Sequence, residues 1–173
     1  MADAGGGCMI NQALHTLDLM LQIGGSVRSV KGQVCNLSDM PIEVEDTACA
    51  QITFTNGANG IFFGTVCNSR NASIELQVYC KNQTYTIKDY ALWRNLPELE
   101  FQKELVVQDR MHSGNKAYYG ASHVLLIEDF YRMLAGEGSR YVSVESAGQV
   151  IQLIQGIRTS SNQSKSILWE DIK

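Results

Sequence analysis

The sequence predicts an α+β fold, a largely antiparallel open β-sheet with helices packed on one face. Three observations predict it. Apolar residues recur every three to four positions near both ends of the chain, and between those ends the period drops to two. The period-two runs are joined by short connections, which favour antiparallel neighbours. The chain has 173 residues, 45% of them hydrophobic, enough for a real core, and the expectation is a single domain over residues 1–173.

The first helix is expected over residues 4–25. Met9, Ile10, Ala13, Leu14, Leu17, Met20 and Leu21 form its apolar stripe, and Gly24-Gly25 stops it. Its polar residues Asn11, His15, Asp18 and Gln22 stand at i, i+4, i+7 and i+11 and so form one row. Strand character then begins. Ala50, Ile52 and Phe54 alternate with polar residues, and Asn56-Gly57 signals a hairpin. The return run 60–67 is apolar on both faces and reads as a central strand covered on two sides. Ile74, Leu76 and Val78 alternate next, then Lys81-Asn82-Gln83 reads as a turn before Tyr85 and Ile87. Residues 108–120 read as a loop, 122–135 as a helix stopped at Gly136, and Val150, Ile151, Leu153, Ile154 and Ile157 mark a last helix.

Composition excludes several classes. The net charge is -4 and the Lys and Arg residues are scattered, so no basic face for nucleic acid is expected. No apolar stretch reaches the length of a membrane span, no targeting segment stands out, and cytoplasm is the default expectation. Four glycosylation-like triplets, at Asn36, Asn71, Asn82 and Asn162, are read as coincidence in that setting. The five cysteines are odd in number and far apart, which predicts buried reduced thiols rather than a zinc or redox motif.

The candidate chemistry centres on the row Asn11, His15, Asp18. A histidine with a carboxylate one turn away can be held as a proton donor or acceptor near neutral pH, and an amide on its other side can bond a substrate hydroxyl. A solvated face on an amphipathic helix gives the same spacing, so spacing alone leaves both readings open. Gly5-Gly6-Gly7 lacks the spacing of a dinucleotide fingerprint, because Ile10 stands where its third glycine belongs; it reads as a place where the backbone comes close to a neighbouring domain or ligand. Tyr118, Tyr119 and His123 could line a polar pocket or anchor packing. Glu43, Glu45 and Asp46 read as solvated loop carboxylates, with no metal site expected.

The run from Gly5 to Leu19, GGGCMINQALHTLDL, strongly resembles the opening of the carboxy-terminal domain in the glucose–fructose oxidoreductase, inositol dehydrogenase and MocA family. Three further stretches agree in order: Val44-Glu45-Asp46-Thr47-Ala48 with the following hairpin, His123 with Ile127-Glu128-Asp129-Phe130, and Ser160 to Lys165. The resemblance implies an α+β substrate-side domain, whose open sheet forms a homodimer or homotetramer interface and whose nucleotide-binding Rossmann domain lies outside these residues. It implies NAD or NADP as cofactor, bound mainly by that other domain, and a sugar, polyol or sugar derivative as substrate. It gives His15 the proton transfer, places Asn11 at the substrate and leaves Asp18 a supporting role; Tyr119 and His123, from the polar pocket read above, are the further expected substrate contacts. Family members carry aspartate or asparagine at the position of Asn11. Met1-Ala2-Asp3 ahead of the glycines reads as a cut at the domain boundary, and the piece alone is expected to be inactive. The alternative is a non-catalytic ligand-binding or oligomerisation module with the same fold.

Overall fold

A computed structural model of the chain describes residues 6–38, 41–69, 72–96, 103–109, 122–138 and 144–172. These divide into two compact units, Met1–Asn71 with Ser143–Lys173, and Ala72–Val142.

The first unit opens with a short helix α1 (Cys8–Asn11) and a longer one, α2 (Leu14–Gly24). Strands β1 (Val27–Cys35), β2 (Thr47–Phe54) and β3 (Asn59–Thr65) follow as an antiparallel meander. The chain returns through the long helix α4 (Val144–Gln163), the two-residue strand β8 (Ile167–Leu168) and a 3-10 turn at Trp169–Asp171. The sheet order is β3-β2-β1-β8. Both long helices lie on one face, as the two periodicities predict. Val30, Ala50, Ile52 and Phe62 from the sheet are buried with Leu17, Met20 and Leu21 of α2 and with Val150, Leu153, Ile154 and Ile157 of α4. Burial of a Leu or Ile side chain stabilises by about 1.5–3 kcal/mol, so this cluster is the main support of the unit.

Close approach of α4 to β1 depends on two glycines. A Cβ on Gly32 would stand 2.7 Å from Cγ2 of Ile157, and one on Gly156 would stand 2.9 Å from Cγ1 of Val30. Beyond β8, which pairs only with Ser29 and Val30, the free side of β1 is completed by side chains of α4. The Gly32 amide donates to Ser160 Oγ at 2.9 Å, and the Val34 amide to Ser161 Oγ at 3.1 Å. The adjacent serines thus satisfy backbone donors that no strand reaches.

The second unit contains β4 (Glu75–Tyr79), β5 (Thr84–Lys88), β6 (Ala91–Asn95) and β7 (Lys103–Gln108), antiparallel in that order, and α3 (Ser122–Leu134). The turn expected at residues 81–83 joins β4 to β5. The α+β architecture is as predicted, with the strands divided between two open sheets rather than joined in one long run.

Two expectations about elements fail. The first helix is broken at Gln12–Ala13: the amides of both residues donate to Cys8 O, at 3.0 and 3.1 Å, and the chain restarts as α2. The run 60–67 is not a covered central strand. It forms β3 at the edge of its sheet, with Ile61 77% and Phe63 67% exposed on the face away from the helices.

Candidate functional site

The break at Gln12–Ala13 separates the residues that the sequence placed in one row. Asn11 ends α1, is exposed, and donates its amide to Gly6 O at 2.6 Å. His15 is the second residue of α2 and is also exposed. The neighbouring Leu17 is completely buried and fixes the first turn of α2 over the core. The exposed row continues from His15 through Leu19 and Ile23, which are 42% and 49% exposed, so the imidazole stands at one end of an apolar strip. Asp18 turns away from that strip. Its Oδ1 is buried and has no hydrogen-bond partner, and no hydrogen bond joins it or Asn11 to His15 among the described residues. A carboxylate–imidazole pair is therefore not made here.

What the glycine triplet approaches is a carboxylate of its own chain. A Cβ on Gly7 would lie 2.2 Å from Cδ of Glu45, and the Cys8 amide donates to the Glu45 carbonyl at 2.9 Å. Only glycine leaves room for this contact. Arg158 of α4 then donates from Nη2 to both carboxylate oxygens of Glu45, at 3.0 and 3.1 Å. A cleft of about 560 Å³ lies beside this pair, lined among others by Gly6, Asn36, Glu45, Arg158 and Asn162. The reading of residues 43–46 as solvated carboxylates is corrected for two of the three: Glu45 is buried, and Asp46 is 0% exposed. Asp46 is saturated by donors, namely the Leu37 amide at 2.9 Å, the Ser38 amide at 2.8 Å and the Ser38 hydroxyl at 2.7 Å. Burial alone would raise its pKa. Together the donors outweigh burial and hold the carboxyl well below the usual carboxylate range.

Cys8 is the buried thiol expected, and its pKa is pushed up to about 11, first by burial and then by the charges of Glu45 and Asp46. The other cysteines correct the expectation: Cys35 is half-buried, while Cys49, Cys67 and Cys80 are exposed. Cys35 and Cys49 lie on strands, where alternation puts a cysteine inside or outside with equal ease, and Cys67 and Cys80 lie just past strand ends, so residue type alone misjudged them.

His123 is exposed on α3, in the second unit, while Asn11, His15 and Asp18 belong to the first. Tyr118 and Tyr119 lie outside the described residues. Sequence reasoning missed Arg158. It stands 113 positions from its partner Glu45, and no local spacing could pair them.

Residues 1–86 match the model of the GFO/IDH/MocA C-terminal domain. This chain belongs to that family. Solved structures share the domain's fold. WlbA dehydrogenase from Chromobacterium violaceum, in complex with NADH and UDP-GlcNAcA, superposes with a TM-score of 0.72 at 20% identity, over 94% of this chain and 46% of its own. An oxidoreductase domain protein from Kribbella flavida gives a TM-score of 0.77 at 19% identity, over 95% and 50%. Levoglucosan dehydrogenase in complex with NADH and levoglucosan gives 0.75 at 20% identity, over 95% and 51%. The chain thus spans about half the length of the structures it matches. No curated protein matches it. Within this GFO/IDH/MocA domain, Asn11, His15, Asp18 and Glu45 fall inside the matched segment, whereas His123 and Arg158 lie beyond it.

Proposed function

We propose that this chain is the substrate-side domain of an NAD(P)-dependent oxidoreductase acting on the CH–OH group of a sugar, polyol or sugar derivative, and that it is inactive alone. The observation that carries the reading is His15, an exposed imidazole at the start of α2, beside the exposed apolar strip of Leu19 and Ile23, within the family-matched segment. An imidazole held on a rigid helix can take the proton from a substrate hydroxyl and return it in the reverse direction. The exposed strip is a surface suited to a covering domain or substrate body.

At Gly7 the space that a phosphate would need is filled by the carboxylate of Glu45, which is paired with Arg158. In this proposal NAD or NADP belongs to a Rossmann domain elsewhere in the protein, and the present chain supplies the proton transfer. Asn11 contacts substrate from the end of α1, Tyr119 and His123 contribute further polar contacts, and Asp18 supports α2 rather than the imidazole. Among the described residues, no helix is long and apolar enough to cross a membrane; a cytoplasmic location stays part of the proposal, as the default expectation of the sequence.

Assembly is the second part of the reading. The outer face of the first sheet, with Ile61, Phe63, Cys49 and Gln51 exposed, supports self-association as a homodimer or homotetramer. The alternative, a module that only binds or assembles, keeps this face and discards the role of His15. A sugar and polyol screen on the parent protein with NAD and NADP separates the two. Turnover that falls about 10²- to 10⁴-fold in His15→Ala supports the enzyme, whereas unchanged turnover sinks the assignment.

A further inference from the structure

The imidazole of His15 stands on a helix end that its own sequence does not secure. The residue ahead of α2 is Ala13, whose side chain makes no capping bond to the free amides of the first turn. Leu17, Met20 and Leu21 seat α2 on the core, but Leu14, His15 and Thr16, ahead of them, are not buried. That turn is held by a run of hydrogen bonds from elsewhere in the fold. The Leu17 amide donates to Ala13 O at 3.0 Å, and the Ala13 and Gln12 amides donate to Cys8 O at 3.1 and 3.0 Å. The Cys8 amide in turn donates to Glu45 O at 2.9 Å. The Glu45 carboxylate lies against Gly7, where a Cβ would collide with it, and Arg158 of α4 donates to both its oxygens. Printed step by step along the chain, Arg158 and His15 are joined through Glu45, Cys8 and Ala13.

We propose that Arg158 is a positioning residue for His15. By holding the Glu45 carboxylate at Gly7 it fixes Cys8, and through the Cys8 carbonyl it fixes the turn from which α2 and its imidazole start. The inference rests on the proton-transfer reading of His15. Its physical basis is the cost of a buried carboxylate that has lost its cation. Without Arg158, Glu45 turns toward water in the adjoining cleft of about 560 Å³, whose wall it already forms. That movement withdraws the side chain from Gly7 and shifts the carbonyl that holds Cys8, and the uncapped turn at Ala13 loosens. A proton acceptor must stand within hydrogen-bond reach of the hydroxyl, and a misplacement of about 1 Å costs on the order of 10²-fold in rate. Arg158 makes no hydrogen bond to His15 among the described residues, so its influence runs through the backbone.

Amide hydrogen exchange of the whole chain tests the linkage without a substrate. In Arg158→Met, which keeps the side chain's length and removes its charge, protection of the Gln12, Ala13 and Leu17 amides should fall about tenfold relative to the Gly25 amide. Gly25 donates to Leu21 O at the far end of α2 and serves as the internal control. Arg158→Lys, a cation without the fork, should lie between Arg158→Met and the unsubstituted chain. If Arg158→Met does not fold, Arg158→Lys decides on the same comparison. In the parent protein, on the best substrate of the sugar and polyol screen, kcat should fall about tenfold in Arg158→Met with KM little changed. Arg158→Met should add little to His15→Ala, because both act on one proton transfer. Protection lost equally at Gly25 and at the other three amides, or full additivity of the two substitutions, would overturn the inference. Unchanged turnover in His15→Ala instead overturns the proton-transfer reading, and the exchange comparison then still decides whether Arg158 holds the turn.

Discussion

At the scale of single residues, the structure turns on groups whose surroundings fix their chemistry. Gly7 is one. Alanine there must displace the Glu45 carboxylate, so Gly7→Ala should cost about 1–3 kcal/mol, read as a lower midpoint in urea unfolding. Arg158→Ala leaves Glu45 buried without its cation and should cost about 3 kcal/mol; a loss below about 0.5 kcal/mol would mean that the pair is only decorative. Asp46 makes a pH prediction. Its folded pKa is depressed, so its contribution is fully present above the unfolded carboxylate value of about 3.9 and disappears as pH falls through the lower folded value. The Asp46→Asn variant should therefore be less stable at neutral pH and lose less stability than the parent on acidification below about pH 4. A parallel pair of acid titrations followed by circular dichroism checks this. Cys8, with its thiol pushed up to about 11, should resist iodoacetamide at pH 8 while exposed Cys49, Cys67 and Cys80 react, as counted by mass spectrometry of the folded chain. None of these environments could be read from composition. Each depends on a partner brought in by the fold, as Arg158 is brought to Glu45.

At the scale of elements, local periodicity carried most of the information that was correct. Strands β2 and β4 alternate in the sequence as they do in the structure, and α4 buries Val150, Leu153, Ile154 and Ile157 from its predicted apolar face; in β5 the buried residue is Thr86, with Tyr85 and Ile87 only half-buried. The failures have a physical cause. Ala13, where the first helix breaks, is a strong helix former, and the break is made by the wide turn onto Cys8 O rather than by any breaker residue. That break matters for the site, because it takes Asn11 off the helix of His15. The apolar run of β3 indicated two faces to be covered, but a strand's sequence does not say whether its own chain or another covers them. The paired serines of α4 are a further device that no period reveals. Ser160→Ala should orphan the Gly32 amide and the Lys165 carbonyl and cost about 1–3 kcal/mol, visible as faster amide exchange at Gly32.

At the scale of the whole molecule, the chain is a GFO/IDH/MocA C-terminal domain about half as long as the solved proteins that share its fold. The family was legible because the run from Gly5 to Leu19 is dense in motif residues. The substrate was not, because the polar residues proposed to meet it are spread over both units and over residues outside the described segments. If the outer face of the first sheet mediates assembly, Phe63→Lys should shift the sedimentation of the chain toward monomer, since a charge on an apolar interface core is strongly disfavoured. The central claim, however, is proton transfer by His15. Its most direct measurement is chemical rescue: turnover of the His15→Ala parent protein as free imidazole is added. The account predicts a deep loss without imidazole and a concentration-dependent recovery with it, because the missing group is a proton acceptor at an exposed position. Turnover equal to that of the unsubstituted protein, or a deep loss that imidazole does not relieve at any pH where it is neutral, would contradict it.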